Sequence, residues 1–579
     1  MDKKIRFNKG QRIIAFIISL VFLFLSIPNL NVLATDKEFD NGSNVKIEKI
    51  TNIQSHNLYK LCKVWGFVKY YHPKIATEDI NWDYELFRIM PIVLNTKDDK
   101  ELNKVLYEWI NKFGDVKIFA QNESTEGEIY LSPDTSWIES REFLGDDLSN
   151  LLVKISKCDR NYEKHRYVEI NPNLGNANFK SENSYSNMNY ADSGYRLLAL
   201  FRFWNMVDYF FPYRDIMDED WDEVLKKFIP RILEGNDEKS YKLSMVKVSK
   251  YIQDSHVFHG DQKGMLYKYF GEYISPIKID LIENKVVITN VNKDIDSNTK
   301  VKNGDIVLKI DNKDIFQLMK EKEEYISFSN SKNNFSKLSS YLLRSNKKEV
   351  EFEIERNGEI FKEKLQYTDD YSKTEVKEKS HKFIDNNIGY ICPGSLKINE
   401  IHDVMKKFKD TKGLIIDLRY YPLDFIVYTL GAYLMPKAEP FTNITVASLK
   451  NPGEFRALPE SLTVGYNNPD YYKGKVTILL NGESQSRPEF TAMALRCAPN
   501  SVIIGSDSVG ADGDIIWMRL PGGLNISMTG IGIYYPDGRQ TQKIGIKPDI
   551  RVTPTINGIK EGRDELLEKA IEVISQSKK

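Results

Sequence analysis

The period of the hydrophobic pattern changes several times along the chain, and each change marks a unit. Residues 13–27 form an uncharged, mostly apolar run behind a basic start of Lys3, Lys4, Arg6, Lys9 and Arg12. Val32-Leu33-Ala34 then supplies small residues of the kind found where signal peptidase cleaves. That order predicts a secretory signal peptide over 1–34, which takes no part in the fold. The run is short of the roughly 20 residues needed to cross a bilayer, with an uncleaved N-terminal anchor as the alternative. Residues 35–53, rich in Asp, Asn, Lys and Ser, read as a linker that lets the folded part stand off.

From residue 54 the apolar positions recur at steps of three and four, the period of a helix. The pattern then occurs a second time. Leu58, Leu61, Trp65, Tyr70, Pro73, Trp82-Asp83, Leu86, Pro91 and Leu94 are matched by Leu197, Leu200, Trp204, Tyr209, Pro212, Trp221-Asp222, Leu225, Pro230 and Leu233, at a constant offset of 139 residues. The match predicts two helical units of similar fold, at about 54–130 and 192–260, with X-Pro steps punctuating the helices. Aromatic stripes such as Trp65, Phe67, Tyr70 and Tyr71 read as core rather than as a ligand surface. Between the copies, residues 119–187 mix short strand-like runs with polar loops. The whole stretch 54–190 reads as an N-terminal accessory domain, and 191–261 as the helical part of the module that follows.

The period shortens at residue 262. Tyr273–Ile279, Lys285–Thr289, Ile306–Ile310 and Glu349–Glu355 alternate or carry β-branched residues, with turns at Gly304, Asp311-Asn312 and Asn357-Gly358. A small β-rich domain is predicted over 262–370. Over 371–579 buried strands (Gly389–Ile391, Gly413–Leu418, Lys475–Leu480, Ser501–Ile504) alternate with helices (Ile401–Phe408, Val427–Met435, Pro488–Cys497), which is an α/β unit. The fold class is therefore multidomain α+β.

Composition narrows the function. The chain has 579 residues, 41% hydrophobic and 28% charged, with 81 Lys+Arg against 82 Asp+Glu for a net charge of −1. No net field favours nucleic acid or an anionic membrane. Membrane contact is expected only through the N-terminal segment. The four cysteines, Cys62, Cys158, Cys392 and Cys497, are far apart and read as small buried hydrophobes rather than disulfides. No Cys, His and acid cluster has metal-ligand spacing, so neither metal nor cofactor is expected. The Lys-, Ile- and Asn-heavy composition predicts a low-GC Gram-positive source, and the expected export predicts a place outside the cytoplasm, secreted or attached to the cell envelope.

The candidate chemistry lies in Leu480-Asn481-Gly482-Glu483-Ser484-Gln485-Ser486-Arg487-Pro488-Glu489-Phe490. A buried strand ends, a polar turn follows, and a helix begins. A serine there sits at the positive end of a helix, with backbone N–H groups able to face an oxyanion. The same residues also spell a capping box, Ser486 at the N-cap and Glu489 three later, and taken alone that is their commoner use.

The order of units resembles the C-terminal processing peptidases and their tricorn-like relatives over roughly 195–575. The landmarks are a turn-strand-turn at Gly304–Lys313 that resembles a PDZ domain, Lys412–Arg419, the Ser-x-x-Glu-Phe segment, Val502–Gly505, and Gly545-Ile546-Lys547-Pro548-Asp549-Ile550. The resemblance implies a PDZ-like domain at 262–370 and a crotonase-like ββα catalytic core at 371–579. It places the nucleophile at Ser486, with Ser484 as the local rival. Processing peptidases use a Lys base, whose position falls here on Ala511. Tricorn-like members use a His ahead of the PDZ domain, which falls on His256 in Asp254-Ser255-His256. Ser255 is then a possible orienter and His259 a competitor. Oxyanion donors fall on the backbone N–H of Arg487 and of Leu423 or Asp424, although the family's Gly-rich turn is here Tyr420-Tyr421-Pro422-Leu423-Asp424. No acid precedes Gly545 in Thr541-Gln542-Lys543-Ile544, so a third triad member is unassigned. The implied activity is that of a serine peptidase acting on unstructured or C-terminal protein segments, with substrate tails held by the PDZ-like domain. The alternative is a catalytically inactive peptide-binding or scaffold protein of the cell envelope.

Overall fold

The computed structural model describes residues 36–118, 127–158, 160, 165–330, 335–370, 378–385 and 387–577. The expected signal peptide lies outside the described residues. Residues 36–53 do not stand off as a linker. Phe39 and Val45 are buried among the helices, and Asp36 and Glu38 both pair with Arg88. Two apolar side chains in a polar segment were enough to strap it down.

Helix α1 (Asn52–Tyr71) starts at a capping box. Thr51 Oγ1 accepts from the Gln54 N–H at 3.2 Å, and Gln54 Oε1 accepts from the Thr51 N–H at 3.1 Å. Helices α2 (Trp82–Leu94) and α3 (Asp99–Asn111) complete the first copy. Helix α4 (Arg141–Ser156) occupies a stretch expected to be strands and loops. Its stripe of Leu144, Leu148, Leu152 and Ile155 is helical, but Gly145, at φ 67°, breaks the first turn and disguises the period. The second copy is α5 (Ser193–Phe210), α6 (Trp221–Glu234) and α7 (Glu238–Ser249). Pro91 and Pro230 lie inside α2 and α6 instead of ending them.

The repeat is visible down to single bonds. Trp65 and Trp82 each donate an indole N–H to the other's carbonyl at 3.0 Å, and Trp204 and Trp221 do the same at 2.7 and 3.1 Å. Between copies the charges are exchanged: Lys63 of the first pairs with Asp222 of the second at 2.7 Å, and Arg202 of the second pairs with Asp83 of the first. Lys63 and Arg202 are equivalent positions, as are Asp83 and Asp222, so the copies face each other as the halves of a two-fold dimer do. Gly66 lies against its own equivalent, Asn205, whose Oδ1 would be 1.7 Å from an added Cβ. Both copies contribute to one hydrophobic core.

Strand β1 (Ile129–Leu131) leaves this helical part to join a sheet of the C-terminal half, and β2 (His259–Asp261) does likewise. The middle unit is an antiparallel sheet in the order β7-β6-β5-β4-β3, from β3 (Ile277–Ile282), β4 (Lys285–Val291), β5 (Ile306–Ile310), β6 (Glu349–Arg356) and β7 (Glu359–Gln366). Two-residue turns with positive φ close its hairpins: Glu283-Asn284 (50° and 62°) and Asn357-Gly358 (54° and 86°). Helices α8 (Ile315–Glu323) and α9 (Phe335–Leu342) cover it with a core of its own around Ile288, Ile310, Leu338 and Phe352.

The C-terminal unit is a six-stranded sheet in the order β8-β9-β10-β13-β14-β17: β8 (His381–Ile384), β9 (Ile388–Ile391), β10 (Gly413–Asp417), β13 (Lys475–Leu480), β14 (Ser501–Gly505) and β17 (Ile550–Arg551). All its pairings are parallel except β8–β9. Alternate residues face opposite layers. Leu414, Ile416, Ile478 and Leu480 meet α10 (Ile401–Phe408), α11 (Val427–Leu434) and α12 (Arg487–Leu495), while Ile415, Leu479 and Ile504 meet α13 (Glu565–Gln576). Both faces are covered, which is why these strands read as unbroken apolar runs. Off this sheet, β11 (Glu439–Ala447) and β12 (Phe455–Ala457) receive β1, and β15 (Ile515–Leu520) and β16 (Leu524–Thr529) receive β2. No helix among the described residues is long and apolar enough to cross a membrane.

Candidate active site

Ser486 lies on the turn from β13 into α12, at φ 65° and ψ −116°. A capping residue ordinarily sits in the extended region, so this backbone is not what a helix cap requires. Its N–H donates to the Ala511 carbonyl at 2.9 Å and to Glu489 Oε2 at 2.8 Å, which forms the Glu half of the capping box. Glu489 is fully buried and also accepts from the Ser508 hydroxyl and from the N–H groups of Gly510 (2.8 Å) and Ala511 (3.1 Å). It thereby ties the serine turn to the 508–511 loop. Ser484 is excluded as the nucleophile by its surroundings: it is buried and donates to the Leu418 carbonyl at 3.0 Å.

Arg487 is the first residue of α12, so its N–H has no acceptor within the helix. Its guanidinium donates to the carbonyls of Pro422 (2.8 Å) and Leu423 (3.1 Å), bringing the Tyr420–Asp424 turn beside Ser486. This clamp holds the turn that lacks the expected glycine. The Leu423 N–H is engaged by the Pro393 carbonyl at 2.9 Å and cannot serve as an oxyanion donor. The Asp424 N–H has no acceptor among the described residues and remains the candidate.

His256 is placed by strand register. Strand β16 pairs with β2 with Ile526 opposite His259, and three residues further along both antiparallel strands Thr529 meets His256. Thr529 Oγ1 lies 2.8 Å from His256 Nδ1. Asp254, fully buried, accepts from the backbone N–H groups of His256 (3.0 Å) and Thr529 (2.6 Å), and its Oδ1 is 3.9 Å from Nδ1. A carboxylate there favours the proton on Nδ1, which leaves the lone pair on Nε2. Nε2 has no hydrogen-bond partner among the described residues. Burial pulls His256 below the ordinary histidine value, Asp254 opposes the shift, and Lys337 adds to it.

Ser255 does not orient the imidazole as expected. Its hydroxyl and N–H bond reciprocally with Ser329, at 2.9 and 2.8 Å, and pin the loop to the middle unit. His259 is held by Ser249 at 2.9 Å and pushed down to about 3 by burial, so its role is structural. The acid nearest the imidazole is Asp254, two residues before His256, which the sequence left unassigned. From the Thr541–Ile544 segment, where the resemblance implies a carboxylate, Gln542 donates to Asp254 Oδ1 at 3.2 Å. Nothing in the sequence marks Thr529, since only the pairing of β16 with β2 brings it to His256.

Ser486 and His256 approach opposite ends of one short stretch. Ser486 is bonded to Ala511, while a Cβ on Gly513 would be 3.2 Å from Thr529 Cγ2. No hydrogen bond joins Ser486 to His256. The Asp512 side chain between them is buried, with Oδ2 unpartnered, and burial followed by Glu489 raises it well above the usual carboxylate range. Burial raises Glu489 as well, and the four donors it accepts from oppose that shift. Ala511 stands where the resemblance implied a lysine, so no Ser–Lys dyad forms there. Among the described residues no group of three or more His, Cys, Asp or Glu could hold a metal. A 290 Å³ cleft lined by Met405, Tyr433, Tyr472 and Lys473 includes none of these groups.

Residues 387–552 match the sequence model of peptidase family S41. No curated protein matches the chain. Among solved structures, mature CPAF complexed with lactacystin is similar at 12% identity and a TM-score of 0.52, over 66% of this chain and 98% of that one. Mature CPAF alone is similar at 12% identity and a TM-score of 0.50, over 66% and 97%. The photosystem II D1 C-terminal processing protease is similar at 16% identity and a TM-score of 0.39, over 62% and 93%. At such identities the likeness to CPAF is one of fold. The matched segment holds Ser486, Arg487, Asp424 and Thr529, and it is this segment that is similar to peptidase family S41.

Proposed function

We propose that this chain is an exported serine endopeptidase that cleaves unstructured or C-terminal protein segments through an acyl-enzyme on Ser486. The observation that carries the reading is the backbone of Ser486. A non-glycine residue at φ 65°, ψ −116° on a strand-to-helix turn costs of order 1–3 kcal/mol, and such strain concentrates where a side chain must be presented to a reactant.

In this mechanism Ser486 Oγ attacks the peptide carbonyl as His256 Nε2 takes its proton. Asp254 and Thr529 stabilise the imidazolium through Nδ1. The Arg487 and Asp424 N–H groups receive the oxyanion, and the imidazolium returns its proton to the leaving amine. Water then releases the acyl group by the same base catalysis. The missing Ser486–His256 contact closes when substrate binds, as catalytic hydrogen bonds often tighten only in the complex. Exposed Tyr421 and Leu423, beside the Arg487 clamp, offer apolar contact to substrate side chains. The middle sheet, with its PDZ-like turn-strand-turn, would capture an extended tail by strand addition. Export rests on the basic, apolar and small-residue order of 1–34.

Ser486→Ala should lower hydrolysis of casein, an unstructured substrate, by roughly 10³-fold or more while leaving the melting temperature unchanged. A serine-directed fluorophosphonate should label the wild type and not the variant. Undiminished cleavage by the variant refutes the assignment. A second reading, a silent peptide-binding protein, is favoured by Ala511 and Gln542 standing where the resemblance implies a lysine or an acid. It predicts no hydrolysis by the wild type.

A further inference from the structure

Lys337, on α9 of the middle unit, reaches across to the histidine loop. Its Nζ donates to the carbonyls of Ser255 (2.9 Å), Val257 (2.9 Å) and Ser327 (3.1 Å). An ammonium has three N–H groups, and all three are directed at carbonyls. Two of those carbonyls belong to the residues immediately before and after His256. The ammonium also lies over the Phe258 ring, 5.1 Å from its centroid. We propose that Lys337 is a positioning residue for His256, gripping the two peptide units that bracket the imidazole so that Nδ1 stays on Thr529 and Nε2 stays free. The proposal rests on the reading of His256 as the base.

The grip has an electrostatic consequence. The charged groups whose fields reach His256 are Asp254, which favours the imidazolium, and Lys337, which opposes it. Burial lowers Lys337 to about 7, while three carbonyl acceptors favour its charged form. In its cationic form Lys337 adds to the burial that already disfavours the imidazolium, so the imidazole stays competent to take a proton. Elsewhere in the loop Ser327 Oγ accepts from the Asp254 N–H (2.9 Å) and Ser329 Oγ from the Ser255 N–H (2.8 Å).

The test is a titration of the full-length protein labelled with [13C-ε1]histidine, with His256→Gln identifying the His256 signal, together with kcat and KM on casein. Lys337→Met should raise the His256 pKa by roughly one unit and lower kcat by roughly 10²-fold, with little change in KM. Lys337→Arg, which keeps charge and donors, should restore both. Lys337→Gln reads the same titration if the Met variant does not fold. An unchanged His256 titration in a folded Lys337→Met or Lys337→Gln protein overturns the proposal. If Ser486→Ala still cleaves casein, the peptidase reading fails, yet the titration still decides whether Lys337 acts on His256.

Discussion

At the scale of single residues the site is a set of substitutions by neighbours. The loop carries no lysine base, the turn no glycine and the end motif no acid, and each deficit is met by a group nearby. In the mechanism proposed above His256 takes the place of the lysine and Asp254 that of the acid, while the Arg487 guanidinium holds the Tyr420–Asp424 turn. The state of His256 then sets the pH dependence. A buried imidazole with a lowered pKa is neutral, and able to accept a proton, to more acidic pH than a free histidine. The value of kcat/KM should therefore stay level as pH falls to about 6.5 and decline only below it. An acid limb centred above that pH in a pH–rate profile would show that another group is the base. The strand-to-helix turn at Ser486 was legible because a buried strand, a polar turn and Pro488 precede the helix, but the choice of Ser486 as nucleophile came from the resemblance. His256 was legible only through the resemblance, since a lone histidine at a helix end has many uses. Thr529 was not legible, because strand register is a property of pairing and not of either strand alone.

At the scale of elements the helical duplication is the strongest signal in the chain, and its packing shows why the register was kept. The exchanged pairs Lys63–Asp222 and Arg202–Asp83 occupy equivalent places but different environments. Arg202 and Asp83 are 0% and 5% exposed and belong to a buried network with Lys69 and Glu182, whereas Asp222 is 32% exposed. Removing one partner of a fully buried pair leaves an uncompensated charge, whereas buried Lys63 (6% exposed) keeps the faces of Tyr59, Trp137 and Trp204 when the partly exposed Asp222 is lost. Asp83→Asn should cost about 3 kcal/mol of stability and Asp222→Asn less than about 1 kcal/mol, measured by denaturant unfolding. Equal effects would mean that the two interfaces are equally wet. Helix α4 was missed for a local reason, Gly145 and the adjoining acids interrupting an otherwise regular stripe. The hairpins of the middle unit were found for the opposite reason, since Asn357-Gly358 is a sufficient turn signal.

At the scale of the whole molecule the units are not beads on a string. Both helical copies share one core, β1 and β2 join sheets of the C-terminal half, and Tyr71 and Tyr241 donate to the carbonyls of Pro452 (2.6 Å) and Pro521 (2.6 Å). Deleting 54–190 would strip α5 and α6 of their packing against the first copy and turn β12, which keeps β11 on one side, into an edge strand. The truncated chain should be insoluble or molten, without near-UV circular dichroism. A soluble, cooperatively folding product would show that the second copy is self-sufficient.

The sequence by itself determined the periods, and through them the helical duplication, the β-rich middle unit, the alternation of buried strands and helices in the last unit and the strand-to-helix turn at Ser486. Those follow from side-chain spacing within single elements, which needs no knowledge of partners. Only the tertiary structure decided which groups surround that serine. It sets Thr529 and Asp254 on His256, Lys337 on the carbonyls either side of it, and Arg487 on the turn opposite. Each of these contacts joins residues by strand pairing or loop closure. Their positions become neighbours only once hydrophobic burial has brought three units together.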